Sequence, residues 1–99
     1  MKDLGINQQE MAKIIAIFRH YPEINKVILF GSRAKGTSRS NSDIDLAVDG
    51  IISDLQIEAL AMELDELPLP YKFDVQAIAG IRNPALADHI DRVGVEIYP

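Results

Sequence analysis

The 99-residue sequence contains no cysteine. That excludes a disulfide-stapled scaffold and any thiolate metal centre, and it fits a reducing cytoplasm. No apolar run approaches the roughly 20 residues a helix needs to cross a bilayer. The start, Met1-Lys2-Asp3, leads into a polar segment without the apolar core of a secretory signal. Basic charge is also scarce. Ten Lys and Arg stand against 15 Asp and Glu, for a net charge of −5 and a pI near 4.8. That balance argues against a general nucleic-acid binder, whose footprint is usually basic. Repeats, linkers and low-complexity stretches are missing too, so a single domain over residues 1–99 is expected. A chain of this size buries roughly 60–70% of the surface its unfolded form exposes, which makes for a modest core.

What is present is ordinary in bulk and uneven in detail. Hydrophobic residues make up 47% and charged residues 25%, as in a soluble globular domain. The few basic residues, however, bunch at Arg33, Lys35 and Arg39, just before Asp43 and Asp45. This is either a solvated loop or a phosphate site beside a metal site.

Asn7 followed by Glu10 is the pattern of a helix N-cap with its capping-box partner. Met11, Ile14, Ile15 and Phe18 then recur at helical spacing, and Pro22 marks a stop, so a helix is expected over about 8–20. Lys26–Phe30 is a short apolar run ending at Gly31, which predicts a buried strand. Residues 31–42, rich in Gly, Ser, Arg and Lys, predict a turn with one helical turn at Arg33–Lys35. Residues 43–48 alternate, with Ile44, Leu46 and Val48 on one side and Asp43, Asp45 and Ala47 on the other. Ser53 caps a helix over about 54–66, with Leu60, Leu64 and Leu67 inward, and Pro68 and Pro70 end it. Lys72–Ile78 predicts a third strand. Asn83-Pro84 opens a last helix over about 84–92, Gly94 suits its C-terminal cap, and Val95–Tyr98 forms a final short strand. The order describes an α/β fold, a small mixed β-sheet with helices packed on it.

Asp43 and Asp45 lie two apart on a strand, so both carboxylates leave one face with Cα atoms about 7 Å apart. At an effective dielectric near 20 their repulsion is roughly 2 kcal/mol. A divalent cation between them reverses the sign, and magnesium favours carboxylate oxygens with positions left for water and phosphates. Alone, such a pair is better explained by one aspartate facing solvent or capping a turn. Upstream, Gly31-Ser32 closes a strand; a glycine bend lets backbone N–H groups and a hydroxyl approach phosphate oxygens. The segment is not a Walker A loop, because Thr37 stands where its lysine belongs. Asp74, between Phe73 and Val75, is disfavoured in a strand by propensity. It serves either a site shared with Asp43 and Asp45 or an edge strand that resists aggregation.

Gly31-Ser32, ten residues, and then Asp43-Ile44-Asp45 resembles the G-S-x10-D-x-D signature of the DNA polymerase β-like nucleotidyltransferases. The string GSRAKGTSRSNSDIDLAV is similar to that of the minimal nucleotidyltransferase subgroup, and Asp74 to the family's third carboxylate on a later strand. The resemblance implies that Asp43 and Asp45 ligate two magnesium ions, and that Asp74 ligates one of them and helps deprotonate the attacking hydroxyl. Gly31 and Ser32 then hold the β and γ phosphates of ATP, and Arg33 and Lys35 offset the triphosphate charge. It further implies a partner, since such proteins commonly pair with a small helical HEPN ribonuclease toxin, act as its antitoxin and adenylylate one of its tyrosines. Two other readings stay open: a binding module that blocks its partner without chemistry, and a transferase for a small molecule such as an aminoglycoside.

The remaining polar residues carry less. His20 and His89 have no metal-spaced neighbours; His20 is expected to complement a helix end and His89 to lie on the surface. Ser32 has no nearby base for nucleophilic work. Lys72 either reaches the nucleotide from beside Asp74 or is a solvated strand-end residue, the favoured reading, and Tyr21, Tyr71 and Tyr98 are read as core or interface residues.

Overall fold

The computed structural model describes residues 5–31, 43–50 and 53–99. Ser32, Arg33, Lys35 and Arg39, with the helical turn expected at Arg33–Lys35, lie outside the described residues.

Helix α1 runs Gln8–Phe18 from the expected capping box. The Asn7 side chain accepts the Glu10 N–H at 2.8 Å, and Glu10 returns a bond to the Asn7 N–H. The helix ends at its last apolar residue, Phe18, two residues short of the expected 20. His20 N–H reaches the Ile17 carbonyl, an i→i−3 bond that tightens the last turn ahead of Pro22. Strand β1 is Lys26–Phe30 and β2 is Ile44–Asp49. Helix α2 spans Asp54–Asp65 from a Ser53 cap, and β3 spans Phe73–Ala77. The third strand is shorter than expected, because Ile78–Gly80 turns into a 3₁₀ segment. Helix α3 is Pro84–Val93, with the Asn83 side chain accepting the Ala85 N–H, and β4 is Val95–Tyr98.

The four strands form one sheet in the order β3-β2-β1-β4. β1 pairs antiparallel with β2 and β4, whereas β2 and β3 run parallel, joined by the crossover helix α2. Alternation divides the sheet into two unequal faces. Val27, Leu29, Ile44, Leu46 and Val48 pack with Ile14 and Phe18 of α1 and Leu60 and Leu64 of α2 into the main core. The opposite face carries a smaller cluster, Phe30, Ala47 and Ile90, under α3. Among the described residues, α3 packs over part of that second face, and Asp45 and Asp74 lie on it.

Gly94 ends α3 as expected but not through a left-handed turn, since its φ is −62°. Close approach explains it. A Cβ there would stand 2.3 Å from the Ile90 carbonyl oxygen and 2.5 Å from Ile28 Cγ2, so any side chain would push the α3–β4 junction off the sheet.

The tyrosines serve packing. Tyr98 stacks at a tilt on Phe18 with centroids 5.5 Å apart. The Tyr71 hydroxyl lies 2.8 Å from Glu10 Oε1 and 3.2 Å from the Gly5 carbonyl. The Tyr21 hydroxyl donates to Glu63 Oε2, and burial followed by the Glu63 bond and charge raises its pKa to about 12. His20 also meets Glu63, Nδ1 to Oε1 at 3.1 Å, which ties the end of α1 to α2.

Candidate nucleotide and metal site

β1 and β2 are antiparallel, so the C-terminal end of the first lies beside the N-terminal end of the second, and Phe30 pairs with Asp45. β2 and β3 are parallel, so their beginnings coincide and Asp45 is the register partner of Asp74. Partners across a ladder point to the same side. The two carboxylates therefore project from one face, the one carrying Ala47 and Phe30. Asp43 stands ahead of β2, two residues before Asp45, near enough for its charge to act on that carboxylate. The shared face anticipated for Asp45 and Asp74 is the face the register gives them.

Their electrostatics reflect the crowding. Asp45 is half-buried and its pKa is raised, first by burial, then by the charges of Asp74 and Asp43, with His89 pulling the other way. Asp43 and Asp74 are exposed. Among the described residues, no three His, Cys, Asp or Glu side chains converge closely enough to enclose an ion by themselves. Magnesium, however, is usually held by one or two carboxylates, with waters and substrate phosphates completing the shell. A half-buried aspartate destabilised by a like charge in register with it is a donor pair that gains from a cation, so the residues fit that ion.

Gly31 closes β1 against this pair. Its φ is +80°, in the left-handed region that costs a side-chain-bearing residue roughly 1–2 kcal/mol. A Cβ would stand 2.2 Å from Asp45 Oδ2. The bend and the carboxylate thus touch, and only glycine lets them.

His89 is the residue that sequence reasoning misplaced. It is half-buried rather than a surface residue. Its Nε2 accepts the Gly31 N–H at 3.3 Å, and its ring stands edge-on to Phe30 with centroids 6.2 Å apart. It lies 58 positions from Gly31, and no local pattern links them. The only available signal was its place on α3, one residue before the core residue Ile90.

Lys72 is exposed, and its carbonyl accepts the Ile44 N–H at 2.8 Å; no described contact joins its ammonium to the carboxylates. A cavity of about 210 Å³ opens at the other end of the same face, lined by residues including Lys26, Ile28, Asp49, Ile81 and Ile90. It contains none of the three site aspartates. The three aspartates thus stand at the rim of the sheet, away from that hollow.

A mixed sheet of this order, with acids at the starts of two adjoining parallel strands and a glycine bend against one of them, is the polymerase β-like nucleotidyltransferase architecture. The chain belongs to the polymerase beta nucleotidyltransferase family, whose model matches residues 12–99. Among solved structures, it is similar to a chain of a toxin–antitoxin structure determined with AMP-PNP. The two are 27% identical with a TM-score of 0.74, over 89% of this chain and 72% of that one. A mutant MntA–HepT toxin–antitoxin structure, with two aspartates two positions apart changed to glutamate, matches at 25% identity and TM-score 0.73, over the same shares. The tri-AMPylated HEPN toxin of Shewanella oneidensis in complex with its MNT antitoxin matches at 23% identity and TM-score 0.68, over 99% and 72%, a likeness of fold. A comparison with curated protein sequences finds no match.

Proposed function

We propose that this chain is a minimal nucleotidyltransferase that moves AMP from ATP to a hydroxyl, and that the acceptor is a tyrosine of a HEPN-type ribonuclease toxin for which it is the antitoxin. The observation that carries the reading is the Asp45–Asp74 register across β2 and β3 with Gly31 against Asp45. The AMP-PNP and toxin–antitoxin character of its structural neighbours supports the choice of nucleotide and partner.

In this reading Asp43, Asp45 and Asp74 hold magnesium, which when bound offsets the triphosphate charge and the charge that develops during transfer. The Gly31–Ser32 bend holds the β and γ phosphates, with Arg33 and Lys35 beside them. The acceptor oxygen bonds to the α-phosphorus in line with the departing oxygen, the bond to the β-phosphate breaks, and pyrophosphate leaves. Asp74, exposed at the rim, takes the acceptor proton. The exposed Asp43 and Asp74 suit an acceptor delivered on another protein's surface.

The test combines the chain, its HEPN partner, magnesium and α-labelled ATP. The partner becomes labelled, and Asp43→Ala and Asp45→Ala each abolish labelling while far-UV circular dichroism stays unchanged. Labelling that persists in both variants refutes the site. A wild-type chain that blocks its partner yet never labels it is an antitoxin by occlusion.

A further inference from the structure

The Gly31 N–H is held by a side chain from a different layer of the fold. A glycine at φ +80° has no Cβ to restrict its peptide planes, so such a bend is stiff only where something outside it takes its hydrogen-bonding groups. Here that group is His89 Nε2, 3.3 Å from the Gly31 nitrogen.

The imidazole is itself held. Its ring stands edge-on to Phe30, the residue before Gly31, and its neighbour Ile90 is buried against Phe30 and Ala47. The end of α3 is clamped by the close approach of Gly94 to Ile28. His89 therefore meets the bend from a helix that does not swing freely.

We propose that His89 is a positioning residue: by accepting the Gly31 N–H it fixes the orientation of the bend that receives the nucleotide's phosphates, and it sets nucleotide affinity from the far side of the bend. The proposal rests on the nucleotidyltransferase reading above. It needs an acceptor at the position of Nε2 rather than an imidazole as such. Glutamine places an amide oxygen about as far out as Nε2, whereas asparagine is one bond shorter and phenylalanine fills the space without an acceptor.

Two readouts separate the contact from its consequence. In the chain without nucleotide, amide hydrogen exchange at Gly31, followed by NMR, is expected to accelerate in His89→Asn and His89→Phe and to stay near wild type in His89→Gln. Binding of magnesium and AMP-PNP by calorimetry is expected to weaken roughly three- to tenfold in the first two variants, the worth of one neutral hydrogen bond, and to be kept in the third. Using two non-accepting variants guards against one of them failing to fold. Wild-type exchange and affinity in His89→Asn and His89→Phe overturn the proposal, as does equal loss in all three variants, which marks a packing role only. If the wild-type chain binds no AMP-PNP, the nucleotidyltransferase reading falls and this role with it. Tight wild-type binding that His89→Asn leaves unchanged removes His89 alone.

Discussion

Replacing Gly31 with alanine probes the contact on which the site depends. The added methyl must adopt φ +80°, at roughly 1–2 kcal/mol for an L-residue in the left-handed region. It would also stand 2.2 Å from Asp45 Oδ2, so the carboxylate must leave its position, at about 0.5–1.5 kcal/mol for an off-rotamer side chain. Together these destabilise the fold by about 1.5–3.5 kcal/mol. At ~4–8 °C per kcal/mol for a domain of this size, the melting temperature falls by roughly 6–28 °C. Gly80→Ala is the control, because nothing lies within 4 Å of its Cβ and its φ is not positive; its effect stays within about 1 kcal/mol. Transfer activity in Gly31→Ala, measured well below its melting point, drops by up to about a hundredfold, the scale of a 1 Å misplacement of a reacting group. Melting curves by circular dichroism and partner labelling with α-labelled ATP give both numbers. If Gly31→Ala melts with Gly80→Ala and labels at the wild-type rate, the bend does not press on Asp45 and the geometry argued above is wrong.

Two titrations follow from the same electrostatics. Burial and the charges of Asp74 and Asp43 raise the Asp45 pKa, so above its folded value a charged Asp45 works against the fold. Asp45→Asn is expected to raise the melting temperature at pH 7, and the gain to vanish as pH falls below the ordinary carboxylate range, where Asp45 is neutral in both states; a gain that persists there refutes the cause. Tyr21 titrates near 12, so the stability its neutral form contributes is complete below the ordinary tyrosine pKa and is lost as pH rises through about 12. Ultraviolet titration should show the Tyr21 phenol titrating late, and Glu63→Gln should lower it only partway, because burial is the larger cause.

Local pattern carried most of the fold. The Asn7–Glu10 capping box, the Ser53 and Asn83 caps and Pro84 at a helix start each satisfy helix-end N–H groups or suit a helix start within a few residues of chain, so their signals are written locally. The strand at 43–48 was displaced by one residue, because its far end is set by pairing of Asp49 with Lys26, which alternation does not show. The early end of α1 has a local cause, a tightened last turn ahead of Pro22, and a proline bounds a helix without fixing its last residue.

The site divides along that line. Alternation by itself placed Asp43 and Asp45 on one face, since a period of two leaves no other choice in a strand, and the glycine at 31 was legible as a bend. Only tertiary structure could decide that Asp74 stands in register with Asp45, because a parallel pairing reached through a helical crossover has no local signature. It alone also decided that His89, expected on the surface, lies against Gly31. Spacing along the chain dictates which way a side chain leaves its own element; which other side chain it meets depends on how elements far apart in sequence pack, and that is settled by burial of the core as a whole.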